Sequence, residues 1–144
     1  MKKMFLLNVL LIMTVALFGQ TDEDLIKKTI TDSYVIGIHN GGTIEAINKG
    51  FHPGFELLGI GQDGNIMTKL PIYTWTENIR QAKEAGRVPS VKTECKFLNI
   101  DITGNAAMAK IELHREGKLI FTDYLFLYKF KDSWKIVNKI YFRH

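Results

Sequence analysis

Asp123 is the residue in this sequence with the most chemical potential. It sits in Thr122-Asp123-Tyr124-Leu125, inside the apolar run 119–130. A carboxylate among apolar neighbours is desolvated, which raises its pKa and suits it to general-base work. Opposite a lysine, the same carboxylate becomes half of an ion pair. If Glu116-Gly117 is a two-residue loop, Arg115 pairs with Lys118, and counting back along the strands puts Lys110 opposite Asp123. A shift of register brings in Lys139 instead. His52, in Phe51-His52-Pro53-Gly54, can donate to a ligand or move a proton. It can equally hold its own turn by bonding a backbone carbonyl. An enzyme built on this chain would use Asp123 and His52 as its catalytic residues, with Tyr34 in reach.

Other constellations are poorer. His39, His114 and His144 have no second ligand at helical or hairpin spacing, so no metal site is expected. Gly59, Gly61 and Gly64 are not followed directly by a helix and do not make a phosphate loop. Cys95 is the only cysteine, and a lone thiol of this kind reads as a small buried hydrophobe. No cofactor is implied.

The elements that must position these residues follow from periodicity. Thr21-Asp22-Glu23-Asp24 is a capping residue followed by acids that favour a helix N-terminus. Ile26, Ile30, Tyr34 and Ile38 put an apolar stripe on that helix until Asn40-Gly41-Gly42 stops it. Thr43 caps a short second helix ending at Gly50. Segments 55–60 and 65–70 flank Asp63-Gly64 as a hairpin. Pro71 opens a third helix carrying Ile72, Trp75, Ile79 and Ala82. Four strands then follow: 91–102, 106–114, 119–130 and 134–141, with turns at Glu116-Gly117 and Asp132-Ser133.

Both faces of the last three strands are apolar, so two different things must cover them. Two-residue loops at both turns put Met108, Lys110, Glu112, Phe121, Asp123, Leu125, Leu127, Trp134, Ile136 and Asn138 on one face. Ala107, Ala109, Ile111, Tyr124, Phe126, Tyr128, Val137 and Tyr141 fall on the other. The first face mixes apolar bulk with polar groups, as a ligand cavity does. The second is smoother, as a subunit interface is. The expected ligand-binding set is therefore Tyr34, His52, Phe55, Trp75, Met108, Lys110, Asp123 and Asn138. A homodimer is expected through Tyr124, Phe126, Tyr128, Val137 and Tyr141.

The 144 residues suit one domain, and 46% hydrophobic content is that of a globular chain. Lys2 and Lys3 precede an apolar run at 4–18 and a small residue at Gly19. That pattern reads as a signal peptide over residues 1–19, cleaved near Gly19-Gln20, with a single domain over 20–144. The run is shorter than the roughly 20 residues a bilayer span needs, so no membrane association is expected after cleavage. Losing Lys2 and Lys3 lowers the formal charge from +4 to +2. No basic patch interleaves with aromatics, so no nucleic-acid partner is expected. An exported protein, periplasmic or secreted, is the reading.

The helix order, Tyr34 with Gly37, Phe51-His52-Pro53, Gly104-Asn105-Ala106-Ala107, Thr122-Asp123-Tyr124-Leu125 and Trp134-Lys135-Ile136-Val137-Asn138-Lys139 together resemble a known family. It is the Putative lumazine-binding family of the nuclear transport factor 2-like superfamily, and the likeness runs from about Asp22 to Tyr141. The resemblance implies an α+β fold: a cystatin-like roll in which a curved antiparallel sheet wraps the N-terminal helices around a cone-shaped cavity, often dimeric through the sheet. The superfamily includes ketosteroid isomerase, SnoaL-like cyclases, dehydratases and silent binders, so the fold leaves the activity open. Three readings stand. The leading one is an exported domain holding a mostly apolar or aromatic small molecule in the cone. The second is an isomerase, dehydratase or cyclase using Asp123 as general base. The third is a dimeric interaction module without catalysis.

Overall fold

The computed structural model of the chain describes residues 20–131 and 133–144. The expected signal peptide, and Asp132 of the expected last turn, lie outside the described residues. Helix α1 (Asp22–Thr29) begins at the predicted place. Thr21 accepts from the Asp24 amide at 3.1 Å, and the Asp24 carboxylate accepts from the Thr21 amide at 3.2 Å. Past Thr29 the chain leaves α geometry and runs on as a π-helix over Ile30–His39. Sequence spacing predicts one regular helix here. A four-residue repeat drifts by about 40° per step around an α-helix, and the wider π turn reduces that drift. Ile26, Ile30 and Tyr34 are accordingly all buried to within 1% of full burial, with Ile38 close behind.

Helix α2 (Ile44–Gly50), capped by Thr43, packs on the π segment. Strand β1 (Phe51–Ile60) and β2 (Met67–Pro71) form the hairpin. Helix α3 (Ile72–Glu84) starts after Pro71. Strands β3 (Thr93–Thr103), β4 (Ala106–Arg115), β5 (Lys118–Phe130) and β6 (Ser133–Arg143) complete the chain. They build one six-stranded sheet in the order β2-β1-β6-β5-β4-β3. Every pair is antiparallel except β1–β6, which is parallel and joins the hairpin to the meander. The sheet's inner face and the first helix enclose the core, with Phe51, Phe55, Ile111, Leu125 and Ile136 among its buried members. Among the described residues no helix is long and apolar enough to cross a membrane.

The meander departs from its predicted register by two β-bulges. The Glu116-Gly117 turn is where it was expected, with Arg115 paired to Lys118 and both turn residues at positive φ (50° and 74°). Two pairs later His114 faces Leu119 but Leu113 faces Phe121, which leaves Ile120 unpaired. That bulge flips β4 relative to β5. Ile111, not Lys110, lies opposite Asp123. Ala107, Ala109 and Ile111, expected on the outer face, are buried in the core. Met108 and Lys110, expected in the cavity, are on the outer face, where the Lys110 ammonium lies 5.4 Å from the centre of the Tyr124 ring. The second turn sits one residue earlier than predicted, because Ser133 is already paired to Phe130. A second bulge leaves Val137 unpaired and turns Lys139 and Tyr141 inward. Tyr141 therefore belongs to the cavity face and not to the outer face assigned to it.

Candidate functional site

The inner face of β5 and β6 meets the π-helical segment in a buried cluster of polar groups. Asp123 is fully buried. The Tyr34 hydroxyl donates to its Oδ2 at 2.5 Å, and the Lys139 ammonium donates to its Oδ1 at 2.6 Å. Lys139 lies opposite Leu125, so it reaches Asp123 diagonally across the two strands. Three rings surround its ammonium, with centres at 4.5 Å (Tyr141), 5.3 Å (Tyr34) and 5.9 Å (Phe121). Burial lowers the Lys139 pKa, while the charge and hydrogen bond of Asp123 oppose that shift. Burial first, then the Asp123 charge and hydrogen bond, push the Tyr34 hydroxyl well above its usual range, so it stays a donor. Both carboxylate oxygens are thus engaged by short, charge-favoured bonds.

A cavity of about 180 Å³ opens beside this cluster. Tyr34, Trp75, Phe121 and Tyr141 supply its aromatic walls and Leu57 an aliphatic one. Lys139, His39 and Arg143 supply its polar edge. His39 stands edge-on to the Tyr34 ring at 4.8 Å, and its buried Nε2 has no hydrogen-bond partner among the described residues. Burial, followed by the charges of Lys139 and Arg115, pushes its pKa down to about 3, so the ring is neutral at pH 7. A larger groove of about 700 Å³ runs along the opposite side of the first helix past Leu25, Ile36 and Trp134. Among the described residues it contains no buried ionisable group, and its rim pair Lys28–Asp32 is solvent-exposed. The smaller cavity is where the chemistry converges.

The expected site residues divide accordingly. Tyr34 and Trp75 line the cavity and Asp123 stands behind its wall. Phe55 is fully buried one layer further in, stacked on Trp75 at 6.2 Å. His52 is not among the lining residues. It stacks on Phe130 at 4.7 Å, and its Nδ1 accepts from the Gly54 amide at 3.0 Å. The expected turn at this place is an irregular stretch of β1, between its pairings to β6 at Phe51 and Glu56, which His52 braces without meeting Asp123. Asn138 donates to the Glu56 carbonyl at 2.9 Å and fastens β6 to β1. Met108 and Lys110 lie on the far face of the sheet.

Sequence reasoning did not find His39 or Arg143, and reached Lys139 only as a register alternative. Tyr34 and His39 are five residues apart, about 140° apart around an α-helix. The i→i+5 bonding of a π-helix brings such residues together. Cys95 is half-buried, and burial pushes its thiol up to about 12, which makes it an inert spacer. Among the described residues no group of three His, Cys, Asp or Glu side chains could hold a metal ion.

A family model described as Putative lumazine-binding matches residues 21–142. Solved structures resemble the fold along most of its length. An NTF2-like protein of unknown function from Shewanella baltica superposes with a TM-score of 0.66 at 23% identity, covering 85% of this chain and 93% of that one. An NTF2-like protein of unknown function from Methylobacillus flagellatus gives 0.61 at 24% identity, covering 85% and 92%. A domain with a cystatin-like fold from Nostoc punctiforme gives 0.62 at 15% identity, covering 85% and 77%. At these identities the likeness concerns the fold. No curated protein matches the chain.

Proposed function

The chain belongs to the Putative lumazine-binding family, and from that premise we propose that it is an exported binding domain that holds a small, mostly apolar or aromatic molecule in the cavity beside Tyr34 and Lys139. One observation carries the reading. Four aromatic rings and three polar side chains surround about 180 Å³ that the protein's own side chains leave unfilled. Pockets of this make-up, with apolar walls and a few convergent polar groups, are where small molecules bind. The size is close to that of a roughly 150 Å³ cavity that admits benzene, so one ring with small substituents fits inside.

The general-base reading is weaker. Asp123 already accepts from Tyr34 and Lys139 on both oxygens, and it does not line the cavity. A base must reach the proton it abstracts, directly or through one water. Native mass spectrometry of protein purified from its own host tests the binding reading. A copurified small molecule, lost on Trp75→Ala, is the expected result. An empty protein that takes up no compound from an aromatic library would sink it.

Two further parts of the reading concern the whole chain. Export rests on Lys2, Lys3 and the apolar run 4–18. N-terminal sequencing of native protein should begin near Gln20. A two-fold dimer rests on the outer sheet face, where Phe126, Tyr128, Phe130 and Ile140 are all exposed and would form an apolar patch on a monomer.

A further inference from the structure

The cavity holds hydrogen-bond donors that the fold does not use. An ammonium has three N–H groups. Lys139 gives one to Asp123, and no other partner for it occurs among the described residues. Lys139, Tyr141 and Arg143 alternate along β6, so all three face the cavity. The Arg143 guanidinium makes no salt bridge among the described residues. Asp123 offers nothing to a ligand, being fully buried behind the wall with its oxygens taken by Tyr34 and Lys139. His39 adds no positive charge of its own at pH 7, being held neutral first by burial and then by the charges of Lys139 and Arg115.

We propose that the cavity is a site for a small aromatic carboxylate, its ring held against Trp75, Phe121 and Tyr141 and its carboxylate taken by the donors of Lys139 and Arg143. The proposal rests on the binding reading above and adds the sign of the ligand's charge. A neutral ring would leave the remaining donors of the buried Lys139 ammonium unpaired when it displaced water from them, and unpaired buried donors are costly. A cation would face Arg143 and Lys139 directly. A carboxylate satisfies both and leaves the Asp123 pair intact. The unpartnered Nε2 of His39 lies at the same polar edge and can bond a hydroxyl or ring nitrogen on the ligand.

The test holds the ring constant and varies the charge. Benzoate, benzamide and benzylamine are titrated against the intact domain by calorimetry, with Arg143→Gln in parallel. Arg143 lies at the solvent-exposed end of β6, and circular dichroism checks that the variant is folded. Benzoate should bind at least about tenfold more tightly than benzamide, as expected for a charge-assisted bond. Benzylamine should bind weakest, and the preference for benzoate should collapse in Arg143→Gln. Equal binding of benzoate and benzamide, or a preference that survives in Arg143→Gln, overturns the charge assignment while leaving an aromatic binding cavity. Failure of all three probes to bind overturns the assignment together with the binding reading.

Discussion

Replacing Asp123 by Asn would leave Lys139 buried without its counter-ion while keeping the shape of the side chain. Breaking a buried pair by removing one partner costs on the order of 3–5 kcal/mol. We expect a clearly lower melting temperature for Asp123→Asn, and almost no change for Lys110→Ala, because Lys110 is on the outer face. A rise in melting temperature in Asp123→Asn would mean that the carboxylate is an unpaired, strained base. His39 gives a pH signature. Its folded pKa of about 3 lies below its ordinary value of 6.5. As the pH falls, the unfolded chain takes up the proton first, so the contribution is whole above pH 6.5 and is lost towards pH 3. At pH 5 the loss is about 2 kcal/mol. Denaturant unfolding at pH 7 and pH 5 should show it in the wild type and not in His39→Phe. At this scale the sequence pointed to Asp123 by its place in an apolar strand. It could not show which lysine met it, because a carboxylate's partner depends on the neighbouring strand.

The first helix and α2 are pressed together at glycines. A Cβ on Gly50 would collide with the Ser33 side chain, and one on Gly37 would come within 2.8 Å of Ile47 Cγ1. Ser33 is itself buried and cannot swing away cheaply. Gly50→Ala is therefore expected to destabilise by roughly 1–3 kcal/mol despite the gain in helix propensity. Thermal denaturation measures it, and a neutral result would mean that α2 docks more loosely than described. The π-helical turn and the two β-bulges are the element-scale features that sequence patterns did not carry. The stripe Ile26, Ile30, Tyr34 and Ile38 announced a buried helix face, but its four-residue repeat is compatible with either winding. The alternation in 106–114 announced a strand with a core face. Choosing which alternate set is inside required knowing that Ile120 is skipped, and one skipped residue inverts the choice.

At the scale of the whole molecule, the outer sheet face is the largest unsatisfied surface. Phe126, Tyr128, Phe130 and Ile140 stand exposed on adjacent strands. We expect a two-fold dimer in solution, and we expect Phe126→Glu combined with Tyr128→Lys to yield a folded monomer by light scattering. A wild-type monomer at micromolar concentration would refute the dimer. By itself the sequence determined the element order, the Thr21 and Thr43 caps and the Glu116-Gly117 turn, because these depend on near neighbours along the chain, while the α+β roll was legible through the family resemblance. Only the tertiary structure decided that Lys139 and not Lys110 neutralises Asp123, that Tyr141 faces inward, and that His39 and Arg143 join the cavity. Those contacts lie across strands and around a helix, where a single bulge or a slightly wider turn moves a side chain to the opposite face.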